Sequence, residues 1–236
     1  NVILVSLASR LPMIKGILYR LKLWGTFDAM VEDYLENVVD FDLFIDDQHG
    51  KETFEAVDVQ VDDLAVLQYT GGTTGTPKGA MLSHKNLVSN CMALRQWSGV
   101  EDCEEVILAV LPLFHAYGMT VSMNYCIATA GEIILLPRFD QEMVAEAMKR
   151  YHPTFFPGIP TIYLAMAKYL KNKNIKLSSL KRCISGAAPL PASTKRLFEE
   201  ATGATLVEGY GLSEASPVTH SNPLGGVSKP NCIGVP

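Results

Sequence analysis

The chain of 236 residues is 48% hydrophobic and 19% charged, with 18 Gly, 13 Pro and a formal net charge of −5, which excludes a disordered tail, a collagen-like repeat and a disulfide miniprotein. A chain this long closes a sizeable core, as one large domain or as two lobes. With 20 Lys and Arg against 25 Asp and Glu, no polyanion-binding surface is expected and nucleic acid is not a partner, whereas a small anion needs only backbone amides and one or two cations.

Short apolar runs rich in β-branched residues alternate with longer stretches of helical period, the pattern of an α/β fold with parallel strands joined by helices. The first strand is predicted at 2–6. The apolar run 2–8 that contains it is too short to span a membrane and has no basic stretch before it. An acidic segment follows over 28–63, with a helix near 28–39, a strand at 43–45 and a loop around Gln48-His49-Gly50. Further strands are predicted at 64–69, 106–110, 132–136, 154–156, 181–184 and 205–207. Helices are predicted at 140–151, where Asp140 can cap a face of Met143, Val144, Ala147 and Met148, at 161–172, and at 191–201, closed by Gly203. The five cysteines (Cys91, Cys103, Cys126, Cys183, Cys232) are odd in number and scattered, as expected of free thiols in a reducing compartment. The chain begins at Asn1 without a methionine and stops at Gly234-Val235-Pro236, which reads as an excerpt of a longer protein.

After the strand at 64–69 comes Thr70-Gly71-Gly72-Thr73-Thr74-Gly75-Thr76-Pro77-Lys78-Gly79, with four glycines, four threonines and a lysine in ten residues. Glycines let successive N–H groups converge on one point, hydroxyls add donors and the lysine adds charge, so the composition is that of a phosphate cradle. Pro77 fixes the backbone just before the cation. A plain Gly/Thr hairpin on the surface is the competing reading, and the density of hydroxyls with Pro-Lys-Gly attached argues against it. A P-loop would end in Gly-Lys-Ser/Thr, and no Ser or Thr follows Lys78. The GxGxxG pattern fails as well, since the glycines fall at 71, 72, 75 and 79.

The segment from Tyr69 to Gly79 resembles the signature loop of the adenylate-forming enzymes, the superfamily of acyl-CoA synthetases, luciferases and peptide-synthetase adenylation domains. That loop usually carries Ser where this chain has Gly72, so one hydroxyl is missing. Three further segments resemble family motifs in family order. Leu111-Pro112-Leu113-Phe114-His115-Ala116-Tyr117-Gly118 is similar to the motif whose histidine stands between the carboxylate substrate and the nucleotide. By itself a histidine in an apolar stretch is more often a packed core residue. Amino-acid-activating relatives carry an aspartate here to pair the substrate ammonium; Phe114 and His115 offer none, which disfavours an amino acid. Ser185-Gly186-Ala187-Ala188-Pro189-Leu190 resembles the segment against the adenine, although alone it reads as a strand-to-helix turn. Glu208-Gly209-Tyr210-Gly211-Leu212-Ser213-Glu214-Ala215-Ser216 resembles the adenine and metal motif, with Ser213 in place of the more frequent Thr.

The resemblance implies the large N-terminal domain of these enzymes, with parallel-sheet αβαβα layers, incomplete here, residues 1–236 being part of it. It implies phosphate binding by Thr70, Gly71, Gly72, Thr73, Thr74, Gly75, Thr76 and Lys78, and Mg²⁺ on Thr70 and Glu214. Gly186, Ala187, Ala188, Glu208, Gly209, Gly211 and Leu212 would surround AMP, with Tyr210 stacked on the base and Ser213 at the α-phosphate. His115, Lys78 and Glu214 would be catalytic, and His115, Met119 and Met123 would line an acyl pocket. The implied reaction uses ATP and coenzyme A to turn a fatty acid into an acyl-adenylate and then an acyl-CoA. An aryl or short-chain acid, or a non-catalytic nucleotide-binding module, is the alternative. A cytoplasmic location is expected; peripheral membrane contact and a homodimer stay open. The family continues with a ribose-binding aspartate, a hinge and a C-terminal domain carrying the adenylation lysine, all absent from this chain, so the excerpt alone is expected to bind nucleotide weakly and turn over poorly.

Overall fold

The computed structural model describes residues 2–4, 13, 17, 38–40, 56–70, 77–229 and 231–236, in two units, Asn1–Asp58 and Val59–Pro236. In the first unit β1 (Val2–Leu4) pairs in parallel with β2 (Val38–Asp40). Val38 and Val39 therefore belong to a strand and not to the end of a helix, in keeping with the preference of adjacent β-branched residues for extended backbone. The rest of the helix predicted near 28–39, the strand at 43–45 and the loop at 48–50 lie outside the described residues.

The second unit opens with β3 (Leu64–Thr70) and β4 (Lys78–Ser83), an antiparallel hairpin in register from Thr70 opposite Lys78 to Leu64 opposite Ser83. The strand at 64–69 thus corrects the expectation of a parallel strand. Seven residues separate β3 from β4, whereas a parallel crossover needs a dozen or more. Then comes α1 (His84–Ser98), absent from the sequence reading. Ser83 caps it in a reciprocal capping box with Asn86, and Gly99 ends it at φ 62°.

The main sheet contains β5 (Val106–Ala109), β6 (Glu132–Leu135), β7 (Phe155–Gly158), β8 (Arg182–Ser185), β9 (Thr205–Gly211) and β10 (Val218–Ser221), in the order β10-β9-β8-β7-β5-β6. All pairings are parallel except β10 with β9. Both faces are covered, so successive strand residues are apolar and go to opposite sides. Leu108, Phe156, Cys183 and Leu206 pack under three helices, α4 (Gln141–Tyr151), α5 (Pro160–Asn172) and α6 (Ala192–Thr202). Ile107, Phe155, Ile184 and Val207 pack under α1 and a helical run made of α2 (Ala116–Gly118), a π-helical Met119–Asn124 and α3 (Tyr125–Ala128). The three predicted helices are present; Asp140 caps α4 by accepting from Met143 N–H at 3.0 Å, and Gly203 closes α6 at φ 74°.

All five cysteines are free. Burial pushes the Cys91 thiol up to about 11 and raises those of Cys126 and Cys183, keeping them protonated, and the thiolate is the nucleophile. A short iodoacetamide pulse at about pH 8 is therefore expected to label Cys103 and Cys232, which are exposed, well before the other three. Peptide mass spectrometry reads the order, and early labelling of Cys183 contradicts the packing.

Candidate functional site

The carboxyl ends of β5, β8 and β9 open into a cleft of about 310 Å³, the position where open parallel sheets receive ligands. The loop after β5 brings His115, the turn after β8 brings Gly186 and Ala187, and the end of β9 with the following turn brings Gly209 through Glu214. Three of the four motif segments found in the sequence therefore converge, although 71 residues separate His115 from Gly186 in the chain.

His115 sits at the N-terminus of α2 and is exposed, with Nδ1 accepting from Tyr117 N–H at 3.1 Å. In the neutral ring that bond leaves the proton on Nε2, a donor toward the cleft. Tyr117 forms part of the wall. Its hydroxyl lies 2.7 Å from the Ile184 carbonyl and 3.2 Å from that of Gly158, and burial raises its phenol far above the usual range, so it stays a neutral donor. Gly186 is required beside it, because a Cβ there would stand 2.9 Å from the Tyr117 ring. Ala187 adopts φ 65°, an uncommon conformation for a residue with a side chain.

On β9, a Cβ at Gly209 would meet Ile184 at 2.8 Å, and one at Gly211 would meet the Pro217 carbonyl oxygen at 2.2 Å. These glycines let β10 fold back against β9, and Tyr210 between them remains 44% exposed along the cleft. The Ser213–Ala215 turn follows, a single turn of 3-10 helix. Glu214 lines both this cleft and a second, polar cavity of about 340 Å³ toward α1. Among the described residues no three His, Cys, Asp or Glu side chains are grouped to hold a metal ion. A hard divalent cation at Glu214 would need its shell completed by phosphate oxygens and water, the usual condition of Mg²⁺ beside a nucleotide.

Thr70 and Lys78 face each other at the loop end of the β3–β4 hairpin, where the Thr70 hydroxyl donates to the Lys78 carbonyl at 3.5 Å. Both arms of the hairpin lie against the Ser213–Ala215 turn. Gly71, Gly72, Thr73, Thr74, Gly75 and Thr76 lie outside the described residues.

Besides Thr70 and Lys78, four of the predicted residues do not line the cleft. Glu208 turns its carboxylate to the opposite face of the sheet, where it accepts from Leu190 N–H at 3.2 Å. Ala188 is exposed beyond the turn. Met119 is buried in the π-helical segment, and Met123 is displaced to its outer surface. The wall instead uses Tyr117, Ile184, Pro217 and Val218, which the sequence reading did not assign to the site. Tyr117 and Pro217 lie within or beside quoted motifs, so position in the motif was the available signal; Ile184 reads only as a strand residue. Among the described residues no helix is long and apolar enough to cross a membrane.

A profile of the AMP-binding enzyme family matches residues 24–236. The chain is 42% identical over 240 residues to a long-chain-fatty-acid–CoA ligase of Bacillus subtilis, covering 100% of this chain and 42% of that protein. It is 36% identical over 175 residues to 4-coumarate–CoA ligase 1 of Arabidopsis thaliana, covering 72% and 31%. The solved structure of ATP-bound MatB from Rhodopseudomonas palustris superposes with a TM-score of 0.73 at 31% identity, covering 98% of this chain and 44% of that one. The chain thus spans less than half the length of each.

Proposed function

The chain belongs to the AMP-binding enzyme family, and we propose that it forms the nucleotide- and acid-binding part of an ATP-dependent acid–CoA ligase whose acid is a fatty acid. The carrying observation is the convergence of His115, the Gly186-Ala187 turn and the Tyr210–Glu214 segment on one cleft at the strand ends. In the proposed reaction the substrate carboxylate attacks the α-phosphorus of ATP and displaces pyrophosphate; the thiol of coenzyme A then attacks the acyl carbonyl and releases AMP.

The exposed ring of Tyr210 is suited to stack on adenine, and the small residues Gly186 and Ala187 let a flat ring come close to the backbone. Ser213 supplies a hydroxyl for the α-phosphate. His115 directs its Nε2–H at the oxygens that gain charge where carboxylate meets phosphorus. The segment from Thr70 to Thr76, with Lys78, is assigned to the β- and γ-phosphates. Thr70 and Glu214 would hold Mg²⁺, which when bound neutralises charge on the phosphates. A fatty acid is favoured because the B. subtilis relative named for one matches the whole chain at the higher identity, whereas the relative named for coumarate matches part of it. Residues 1–236 are placed in the N-terminal domain and the full protein in the cytoplasm.

Carboxylate-dependent ATP–pyrophosphate exchange by the full-length protein tests this reading. Exchange is expected with long saturated fatty acids and not with benzoates. Preference for benzoates would transfer the assignment to an aryl-acid ligase, and no exchange with any acid would favour a binding module.

A further inference from the structure

The turn that presents Ser213 and Glu214 is closed by three backbone bonds, Ala215 N–H to the Leu212 carbonyl at 2.9 Å, Ser216 N–H to the Ser213 carbonyl at 3.3 Å and, at its base, Leu212 N–H to the Pro217 carbonyl at 2.9 Å. Glu214 stands between two cavities, so side-chain packing does little to fix its carboxylate. Its position depends on how the backbone of the turn is anchored.

Two side chains from distant helices anchor it. Asn90, on α1, donates from Nδ2 to the Val218 carbonyl at 2.7 Å and to the Ala215 carbonyl at 3.4 Å, while its Oδ1 accepts from Val218 N–H at 3.2 Å. One amide thus matches both backbone groups of Val218, as a neighbouring strand would. Thr120, fully buried in the π-helical segment, donates to the Ser216 carbonyl at 3.1 Å. The helix bearing Asn90 begins directly after β4, the arm of the hairpin that starts at Lys78. Asn90 therefore ties the element that follows the phosphate-loop hairpin to the turn that carries Glu214.

We propose that Asn90 is a positioning residue for Glu214, holding its carboxylate where a divalent cation carried by the nucleotide's phosphates can meet it. This rests on the ATP- and metal-dependent reading above. Reversible metal coupling is the property it controls: the gain in ATP affinity that Mg²⁺ brings is a coupling between two ligands, and it requires the carboxylate in register with the phosphates.

The test is isothermal titration of ATP into the full-length protein, with Mg²⁺ and with a chelator, for the parent, Asn90→Ala, Thr120→Val and Glu214→Gln. Asn90→Ala is expected to cut the Mg²⁺-dependent gain about tenfold while metal-free ATP affinity stays within about twofold. Thr120→Val keeps the side-chain shape and removes the donor, and is expected to cut the gain in the same direction by less. A lowered thermal midpoint with the full Mg²⁺ gain in Asn90→Ala would make Asn90 merely structural and overturn the proposal. If Asn90→Ala does not fold, an unchanged gain in Thr120→Val overturns it equally. Glu214→Gln separates the two levels: if it loses the gain and Asn90→Ala does not, only the positioning role falls. If Glu214→Gln also keeps the gain, the metal assignment itself falls and takes the proposal with it.

Discussion

Replacing Glu214 by alanine in the full-length protein is expected to slow acyl-adenylate formation about a hundredfold to a thousandfold, the scale for removing one preorganised group that stabilises charge at the reacting centre. The proposed step joins two anions, so charge builds up where carboxylate meets phosphate. Glu214 is the carboxylate that lines the cleft, next to Ser213 and within the turn on which both arms of the hairpin rest. Its loss removes an anchor for the cation and leaves the phosphates to the hairpin alone. Hydroxamate trapping of the adenylate measures the rate. A fall of less than about fivefold would remove Glu214 from the chemistry, and a loss confined to the apparent affinity for the acid would move it to substrate binding.

The second large effect lies at the other end of the sheet. Glu105 is fully buried just before β5. Its Oε1 accepts from Arg182 at 2.6 Å and from the Thr154 hydroxyl at 2.7 Å, and its Oε2 accepts from the Tyr125 hydroxyl at 3.2 Å. Thr154 precedes β7 and Arg182 opens β8, so one carboxylate ties the amino-terminal ends of three adjacent strands. Glu105→Ala strands a guanidinium whose Nε is already buried without a partner. It also takes the acceptor from the Tyr125 hydroxyl and the nearer of two acceptors from the Thr154 hydroxyl, which keeps the Val106 carbonyl at 3.4 Å, so a loss of about 3–5 kcal/mol is expected. Replacing Glu105 by Leu together with Arg182 by Met should recover much of that loss, because apolar groups of similar size escape the desolvation cost of the pair. Urea unfolding followed by circular dichroism reads both. A shift under about 1 kcal/mol for Glu105→Ala would show that water or neighbouring groups replace the carboxylate.

Strands β5, β7, β8 and β9 were legible because burial on both faces demands unbroken apolar runs, and such runs stand out in a sequence. β10 was not, since Val218-Thr219-His220-Ser221 carries no apolar run and is the last strand of the sheet, its outer side carrying a bridge from Ser221 to Val235. The fifteen-residue α1 was overlooked for a related reason. Asn86, Ser89 and Asn90 interrupt its apolar period, and only Cys91 and Leu94 are buried. The local signals were present in Ser83, Asn86 and Gly99, the cap residues at its two ends. The spacing of Met119 and Met123 suggests one lining, but the π-helical turn buries Met119 and leaves Met123 at its outer surface.

By itself the sequence determined the α/β class, the free thiols and the four segments with the residue chemistry of a nucleotide site, because glycines, hydroxyls, a carboxylate and a lysine declare their chemistry wherever they stand. The tertiary structure decided which of these groups share a cleft, that Glu208 faces away from it, and that Asn90 and Thr120 grip a turn 125 and 96 residues further along. Those outcomes depend on strand order and on which face of the sheet each helix covers. They are set by burying the whole apolar surface at once, and no short stretch of chain encodes them.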